Sequence, residues 1–149
     1  MDKPSLTIIR GVSGSGKTRV AKNATNGVIC SADDYFMVDG EYRFDPTKLG
    51  EAHGACFRKA IDLLQKGVDV VIDNTNTSVA ETAPYVAMGQ AYAGRVRIIR
   101  IECDPEVAHA RNRHGVPLGA VRAMAKRLAE EPLPPFFPKE EVRQAWMPE

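Results

Sequence analysis

Eight residues near the amino end of the chain constrain its fold more than any others. Residues 11–18 read Gly-Val-Ser-Gly-Ser-Gly-Lys-Thr, with glycines at the first and sixth positions and a Lys-Thr pair at the end. They follow a largely apolar run, 6–9, and precede a helix-like run, 19–22. This is the strand–loop–helix setting of a phosphate-binding loop. The segment therefore predicts a polyphosphate site at the carboxyl edge of a parallel sheet.

Each residue type in this loop suits a polyphosphate. The glycines let the backbone curl without Cβ clashes, so that successive N–H groups point inwards beside a helix N-terminus. Lys17 is spaced to reach the β- and γ-phosphates, and the Thr18 hydroxyl is spaced to ligate Mg²⁺. We predict that ATP and Mg²⁺ are the cofactors, and that ATP is bound by Gly11, Ser13, Gly14, Ser15, Gly16, Lys17 and Thr18. The alternative, a glycine turn with an unrelated lysine, fits the flanking strand and helix less well.

Length and charge predict an ordinary globular domain. A chain of 149 residues can bury one hydrophobic core. Its net charge of +1 argues neither for nor against a polyanionic partner. Residues 95–127, however, hold eight basic residues and three acidic ones. This bias predicts either a positive patch that meets phosphates or solvated helix faces.

The cysteines and the apolar runs indicate the compartment. Cys30, Cys56 and Cys103 are odd in number and far apart, which argues against a disulfide framework and a cysteine-rich metal site. Reduced thiols in a cytoplasmic protein are the expectation. No apolar run approaches the length of a membrane span, so no membrane partner is expected.

Short apolar runs alternate with longer amphipathic segments along the chain. The strands are predicted at 6–9, 28–30, 70–72 and 96–101, and the later helices at 49–65, 79–92, 105–113 and 118–129. Such alternation is typical of parallel strands joined by right-handed crossovers. We predict a three-layer α/β P-loop kinase fold, with a mainly parallel central sheet and a helical lid.

Two segments break this alternation. Residues 35–47 contain Asp39-Gly40 between apolar and aromatic positions, which predicts a hairpin or ordered loop. Residues 131–138 are rich in proline and cannot form a helix. We therefore predict a kinase domain over 1–131 and a tail over 132–149 that packs on the domain or extends from it.

Acidic residues follow the predicted strands at the edge where ligands bind. Asp33 follows the second strand and is a candidate base that accepts the proton of an attacking hydroxyl. A helix cap or turn is the alternative for the Asp33-Asp34 pair. Asp73 follows the third strand and is a candidate Mg²⁺ ligand or acceptor contact, or else an Asx-turn.

A basic turn separates the last two predicted helices. Residues 111–117 read Arg-Asn-Arg-His-Gly-Val-Pro, in which the glycine ends one helix and the proline precedes the next. We predict a mobile lid whose Arg111 or Arg113 neutralises charge on the transferring phosphoryl group. His53, in the helix 49–65, is a weaker candidate for substrate binding, and an ordinary helix position is its alternative.

The ordered set of these segments resembles the polynucleotide 5′-hydroxyl kinase family, and in particular the kinase domain of NEDD4-binding-protein-2-type proteins. The matching segments are 11–18, 31–36, 42–53, 73–76 and 111–117. The resemblance implies ATP-dependent phosphorylation of the 5′-hydroxyl end of DNA or RNA. It implies that Asp33 is the general base, that Asp73 and Asn76 lie on the acceptor side, and that Arg111 belongs to the lid.

The chain departs from that family at one position beside the base. Where the phage enzymes have an acceptor-binding arginine, three residues after the basic aspartate, this chain has Phe36. Two alternatives therefore stand beside the first prediction. One is a P-loop kinase of a small-molecule hydroxyl, such as a zeta-toxin-like, nucleotide or sugar kinase, and the other is a non-catalytic NTP-binding module in nucleic-acid repair.

Overall fold

A computed structural model of the chain describes residues 3–24 and 26–145. The strands and helices of this part are β1 (Ser5–Arg10), α1 (Lys17–Ala24), β2 (Val28–Cys30), β3 (Met37–Val38), β4 (Glu41–Tyr42), α2 (Leu49–Gln65), β5 (Val70–Asp73), α3 (Val79–Tyr92), β6 (Arg95–Glu102), α4 (Pro105–Arg111), α5 (Leu118–Glu130) and β7 (Glu140–Gln144). Short 3-10 helices span Ala32–Phe36 and Pro46–Lys48.

The central sheet is parallel throughout its described strands, in the order β2-β5-β1-β6-β7. The middle strands are apolar and buried because helices cover both of their faces. Leu6 and Ile8 of β1 pack with residues of α2 and α3. Ile9, which points to the other face, packs with Ala21 of α1. The predicted three-layer α/β fold with a mainly parallel sheet is thereby confirmed.

Three predicted elements have the expected bounds, four extend one residue further at one or both ends, and one is shorter than predicted. The helices 49–65 and 79–92 and the strand 28–30 are found as predicted. The predicted helix 105–113 is wrong in its last two residues, since α4 ends at Arg111. The backbone of Asn112 is extended, at φ −66 and ψ 126, and its side chain accepts a hydrogen bond from the His114 N–H at 2.8 Å. This side-chain bond favours a turn over another helical residue.

The predicted hairpin within 35–47 is also present. Strands β3 and β4 pair antiparallel through a two-residue turn, Asp39-Gly40, in which both residues have positive φ. Aspartate followed by glycine tolerates this left-handed backbone, which matches the twist of the flanking strands. The hairpin follows the 3-10 helix 32–36 and lies beside its carboxyl end, where the Arg43 N–H bonds the Phe36 carbonyl.

A strand that the sequence analysis did not predict lies in the segment after residue 131. β7 pairs with β6 at the edge of the sheet. Its Glu140 bonds the buried Arg10 of β1, and its second carboxylate oxygen lies 3.2 Å from Arg100 Nε. Glutamates have low strand propensity, so these ion pairs account for the strand. Residues 146–149 of the predicted tail, and residues 1, 2 and 25 of the predicted domain, lie outside the described residues.

At least three of the eight basic residues in the stretch 95–127 pair with neighbouring acids, namely Arg97, Arg100 and Arg122. Arg97 bonds Glu141 of β7 at 3.0 Å, and Arg122 of α5 bonds Glu106 of α4. These pairs reduce the positive patch that the sequence predicts. Among the described helices, none is both long and apolar enough to cross a membrane.

Candidate active site

The loop between β1 and α1 has the backbone that its glycines predict. Gly14 and Gly16 have φ of +85° and +92°, a conformation that L side chains rarely adopt. A Cβ on Gly14 would lie 2.0 Å from the Ala108 carbonyl oxygen of α4. The Gly11 N–H donates to the Thr75 carbonyl at 3.0 Å, which fixes the start of the loop. The loop is thus held between the end of β5 and the lid helix α4.

A buried hydroxyl inside the loop indicates whether the loop can bind an anion. Ser15 is 1% exposed, and its Oγ has no hydrogen-bond partner within the described chain. A Cβ on Gly11 would lie 2.8 Å from this oxygen. An unpaired buried hydroxyl is costly unless a ligand accepts its hydrogen bond. The orphaned Ser15 hydroxyl beside the N-terminus of α1 therefore fits a bound phosphate.

Lys17 is the first residue of α1, and its side chain folds back over the loop. Its Nζ donates to the Val12 carbonyl at 3.0 Å. Burial lowers the pKa of Lys17, whereas the nearby carboxylates of Asp73 and Asp33 act to raise it. A half-buried ammonium bonded only to a neutral carbonyl gains charge compensation when a phosphate arrives. Lys17 Nζ therefore lies over the loop, and phosphate binding by Lys17 stays a prediction.

Thr18 and Asp73 form the pair from which the sequence predicts a Mg²⁺ site. The Thr18 hydroxyl donates to Asp73 Oδ2 at 2.7 Å, joining the start of α1 to the end of β5. Asp73 is 8% exposed, and burial raises its pKa. Mg²⁺ usually takes one or two protein oxygens and completes its shell with phosphates and water. The Thr18 hydroxyl and the Asp73 carboxylate are two oxygen donors of the kind that this mode uses.

Asp33 lies on the 3-10 helix 32–36, at the carboxyl end of β2. Ser31 caps this helix, accepting a hydrogen bond from the Asp33 N–H at 3.2 Å. The Asp33 carboxylate is therefore not used as a cap, and it is 54% exposed. Tyr42 of β4 donates to Oδ1 at 3.1 Å, and His114 Nδ1 of the lid turn lies 3.6 Å from Oδ2. Burial and the neighbouring Asp33 raise the pKa of Tyr42 to about 12, so its phenol remains a donor.

Sequence reasoning missed the residue that anchors the helix carrying Asp33. Asn74 Oδ1 accepts a hydrogen bond from the Ala32 N–H at 2.8 Å. Its amide nitrogen donates to the Tyr85 hydroxyl at 3.2 Å and lies 3.7 Å from Cys56 Sγ. Asn74 is buried, so these bonds are shielded from water. The sequence signal for Asn74 was its position directly after Asp73. A residue just past the end of β5 can reach the segment that follows the adjacent strand β2.

The turn between α4 and α5 forms the predicted lid region. Arg111 is the last residue of α4, is half-buried, and acts electrostatically on Cys103 at the end of β6. Arg113 is exposed, and Gly115 has a φ of +70°. The His114 ring stacks on Tyr42, with centroids 4.0 Å apart and planes at 14°. The turn therefore spans from the glycine loop to Asp33.

Two further candidates differ in what the structure shows of them. His53 is half-buried in the second turn of α2, whose first turn bonds Tyr35 through Glu51. Asn76 is 2% exposed, has a φ of 45°, and donates to the Ile9 carbonyl at 3.0 Å. These contacts give Asn76 a structural role. Substrate binding by either residue stays a prediction.

Comparison with known proteins agrees with this arrangement. The family model described as "AAA domain" matches residues 6–130. NEDD4-binding protein 2 of Homo sapiens is 38% identical over 122 residues, which cover 74% of this chain and 7% of that protein. The chain thus spans a small part of the length of that relative.

Solved structures share the same fold. A chain of the Pnkp1/Rnl/Hen1 RNA repair complex aligns with a TM-score of 0.73 and 23% identity, over 87% of this chain and 45% of that one. A gluconokinase from Sinorhizobium meliloti 1021 aligns with a TM-score of 0.63 and 15% identity, over 99% of this chain and 86% of that one. At these identities the likeness shows the fold alone.

Proposed function

We propose a function from one premise: this chain belongs to the AAA domain family matched over residues 6–130, and it is a P-loop kinase domain. On this premise the protein transfers the γ-phosphoryl group of ATP to the 5′-hydroxyl end of DNA or RNA. One observation carries the proposal. Asp73, which bonds Thr18 beside the glycine loop, ends β5, and Asp33 follows the adjacent strand β2 at the same edge of the sheet, with its carboxylate 54% exposed.

The glycine loop supplies the donor side of this reaction. Its backbone N–H groups and the N-terminus of α1 bind the phosphates, and the Ser15 hydroxyl donates to one of their oxygens. Lys17 exchanges its bond to the Val12 carbonyl for the β- and γ-phosphates. Thr18 and Asp73 would hold Mg²⁺, which neutralises charge on the phosphate oxygens when it is bound.

Asp33 serves the acceptor side. Its carboxylate accepts the proton of the 5′-hydroxyl as the hydroxyl oxygen forms a bond to the γ-phosphorus. The bond between that phosphorus and the β–γ bridging oxygen breaks, and ADP leaves. In this proposal the Tyr42 hydroxyl keeps its bond to Oδ1 at 3.1 Å, and Oδ2, which lies 3.6 Å from His114 Nδ1, takes the proton.

The lid supplies charge during transfer. Arg111 ends the helix whose Ala108 carbonyl lies beside Gly14, and its side chain is half-buried. Arg113 lies in the exposed turn next to His114. We assign charge neutralisation at the γ-phosphoryl group to these two arginines. In phosphoryl transfer such an arginine contributes roughly 10³-fold or more in rate.

The surroundings of Asp33 favour a large acceptor over a small one. The carboxylate is about half exposed and adjoins the exposed hairpin, in which Phe44 is 51% exposed. A small-molecule kinase buries most of its acceptor in a closed pocket. An open surface at this edge of the sheet leaves room for the polynucleotide that continues beyond the 5′ nucleotide.

A second candidate function is a small-molecule hydroxyl kinase. The gluconokinase likeness favours it, because that match covers 99% of this chain and 86% of the other. The match extends through the tail segment, whereas the family match ends at residue 130. The two candidates share the donor side described above and differ only in the acceptor.

Labelled phosphate transfer separates these candidates. The protein is incubated with γ-labelled ATP, Mg²⁺ and short DNA or RNA oligonucleotides whose 5′ ends are either free or already phosphorylated. Label on free 5′ ends only supports the proposal. Label on gluconate or a nucleoside, with none on any oligonucleotide, supports the second candidate. ATP binding without transfer to any of them indicates a non-catalytic NTP-binding module.

A further inference from the structure

Exposed aromatic rings lie directly beside Asp33, although the reaction described above does not use them. Tyr42, Phe44 and His114, which we call the aromatic ledge, share nearly parallel planes. Tyr42 stacks on His114 with centroids 4.0 Å apart and on Phe44 with centroids 6.4 Å apart, at interplanar angles of 14° and 11°. Phe44 is 51% exposed, so much of its ring surface is open to solvent.

The ledge is fixed from behind. Phe36, which is 3% exposed, presents its ring at steep angles to both Phe44 and Tyr42, with centroids 5.1 and 6.2 Å away. The Tyr42 hydroxyl is held by Asp33. Rings with few free rotamers bind a flat partner at low entropic cost. The ledge is therefore organised in advance for stacking.

We propose that the aromatic ledge stacks the nucleobase of the first nucleotide of the acceptor, and so determines recognition of the 5′ end. The inference rests on the proposed transfer to 5′-hydroxyl ends. A nucleobase presents a π-face to any aromatic ring and stacks without sequence preference. The Tyr42 hydroxyl bonds Asp33, so a base on this ledge belongs to the nucleoside whose hydroxyl reaches the carboxylate.

Two exposed arginines beside the ledge can bind the phosphates of a nucleic acid. Arg43 lies between the two hairpin aromatics in sequence and is 62% exposed, and Arg113, which precedes His114, is exposed as well. Exposed arginines beside stacking rings are the combination found in proteins that bind single strands. Arg43 also pairs with Glu41 at 3.1 Å, an exposed contact that a phosphate can replace at little cost.

The test uses an oligonucleotide with a free 5′-hydroxyl and 2-aminopurine as its first base, titrated with the full chain. Stacking quenches the fluorescence of this base. We expect quenching with the wild-type protein and a roughly 5- to 150-fold weaker binding of this oligonucleotide by Phe44→Ala. Tyr92→Ala, which removes an aromatic ring of similar exposure at the far end of α3, is the matched control and is expected to bind as the wild type does.

Transfer kinetics add a second comparison. For an oligonucleotide whose first nucleotide is abasic, Phe44→Ala and the wild type are expected to have the same KM. For the intact oligonucleotide, Phe44→Ala raises KM and leaves kcat within about twofold. Tyr42→Phe keeps the ring and removes only the bond to Asp33, so it is expected to lower kcat and leave KM unchanged.

The outcomes distinguish this inference from the proposed function. Equal loss of binding to intact and abasic ends by Phe44→Ala overturns the ledge, as does an unquenched wild-type complex. Phosphorylation of abasic and intact ends with one KM also overturns the ledge while leaving the kinase function in place. A third outcome is that the wild type quenches the base and Phe44→Ala does not, while no 5′ end is phosphorylated. This outcome supports the ledge and contradicts the kinase function. Absence of oligonucleotide binding, with Phe44→Ala changing only association with other proteins, assigns the ledge to a protein contact and overturns the inference.

Discussion

The proposed donor half and the proposed acceptor half of the site are built from different parts of the chain. The donor half is formed mainly by backbone atoms. Gly14 and Gly16 adopt left-handed φ, and the loop lies between β5 and α4. The acceptor half is formed by side chains, since those of Asp33, Tyr42 and His114 meet at an exposed surface. A backbone site tolerates few sequences, whereas a surface of side chains can be rebuilt for a new partner without changing the fold.

The difference explains why the sequence pattern indicates the proposed nucleotide side more directly than the proposed acceptor side. Loop geometry that only glycine permits leaves a short, readable pattern in the sequence. The contacts of Asp33, by contrast, come from the hairpin and the lid turn, which are far apart in sequence. Substitutions in the two halves should therefore have separable effects.

The largest effect is expected from Gly14→Ala. The added Cβ would lie 2.0 Å from a carbonyl of α4, and backbone cannot yield as a side chain can. We expect a loss of about 2–4 kcal/mol in the free energy of unfolding together with loss of ATP binding. Thermal denaturation and nucleotide titration measure both.

Gly119→Ala is the matched control for this substitution. Gly119 lies in the first turns of α5 with open space around it, so alanine should add about 0.5–1 kcal/mol of helix stability. If Gly14→Ala binds ATP with the wild-type affinity, the glycine loop does not determine nucleotide binding.

An intermediate effect is expected from Asn74→Ala, which acts where the two halves meet. The change leaves the buried Ala32 N–H without its acceptor and loosens the helix that carries Asp33. We expect a loss of about 1–3 kcal/mol in the free energy of unfolding and a roughly 10- to 100-fold lower transfer rate. ATP affinity should change little.

Tyr85→Phe provides the comparison for Asn74. It removes a different partner of the Asn74 amide and keeps the bond to Ala32. Denaturant unfolding should show a smaller loss of stability, and transfer should stay near the wild-type rate. If Tyr85→Phe slows transfer as much as Asn74→Ala does, the bond to Ala32 is not what positions Asp33.

The smallest effect is expected from Arg122→Ala. This arginine pairs with Glu106 across α4 and α5, and both side chains are more than half exposed. Surface pairs of this kind contribute about 0–1 kcal/mol. Denaturant unfolding should shift by less than 1 kcal/mol, with transfer unchanged. A slower transfer rate in this variant would give the α4–α5 pair a role in lid movement that its exposure does not suggest.

The sequence predicts the central sheet well because the signals are local. Apolar runs such as 70–72 and the glycine loop specify strand and loop from neighbouring residues alone. Strand β7 could not be predicted in this way. Its Glu140 bonds Arg10, which lies 130 positions earlier in the sequence. A pair of residues so far apart leaves no local sequence pattern.

The candidate site shows the same limit. Asp33 and Asp73 could be proposed because both follow apolar runs. The bond from the Ala32 N–H to Asn74, and the stacking of Tyr42 on His114, arise only when distant loops meet. The bond from Asn76 to the Ile9 carbonyl is likewise absent from any local pattern, because a polar residue at a strand end can bond either a ligand or the backbone beside it.

The most direct test measures ATP binding and phosphoryl transfer separately in Asp33→Asn, beside Lys17→Ala. The asparagine keeps the size of the side chain and removes the base. For Asp33→Asn we predict ATP affinity within about twofold of the wild type and a transfer rate lower by roughly 10²- to 10⁴-fold. Lys17→Ala should lose both. Transfer by Asp33→Asn at the wild-type rate, or loss of ATP binding along with transfer, would contradict the division of the site into a donor half and an acceptor half.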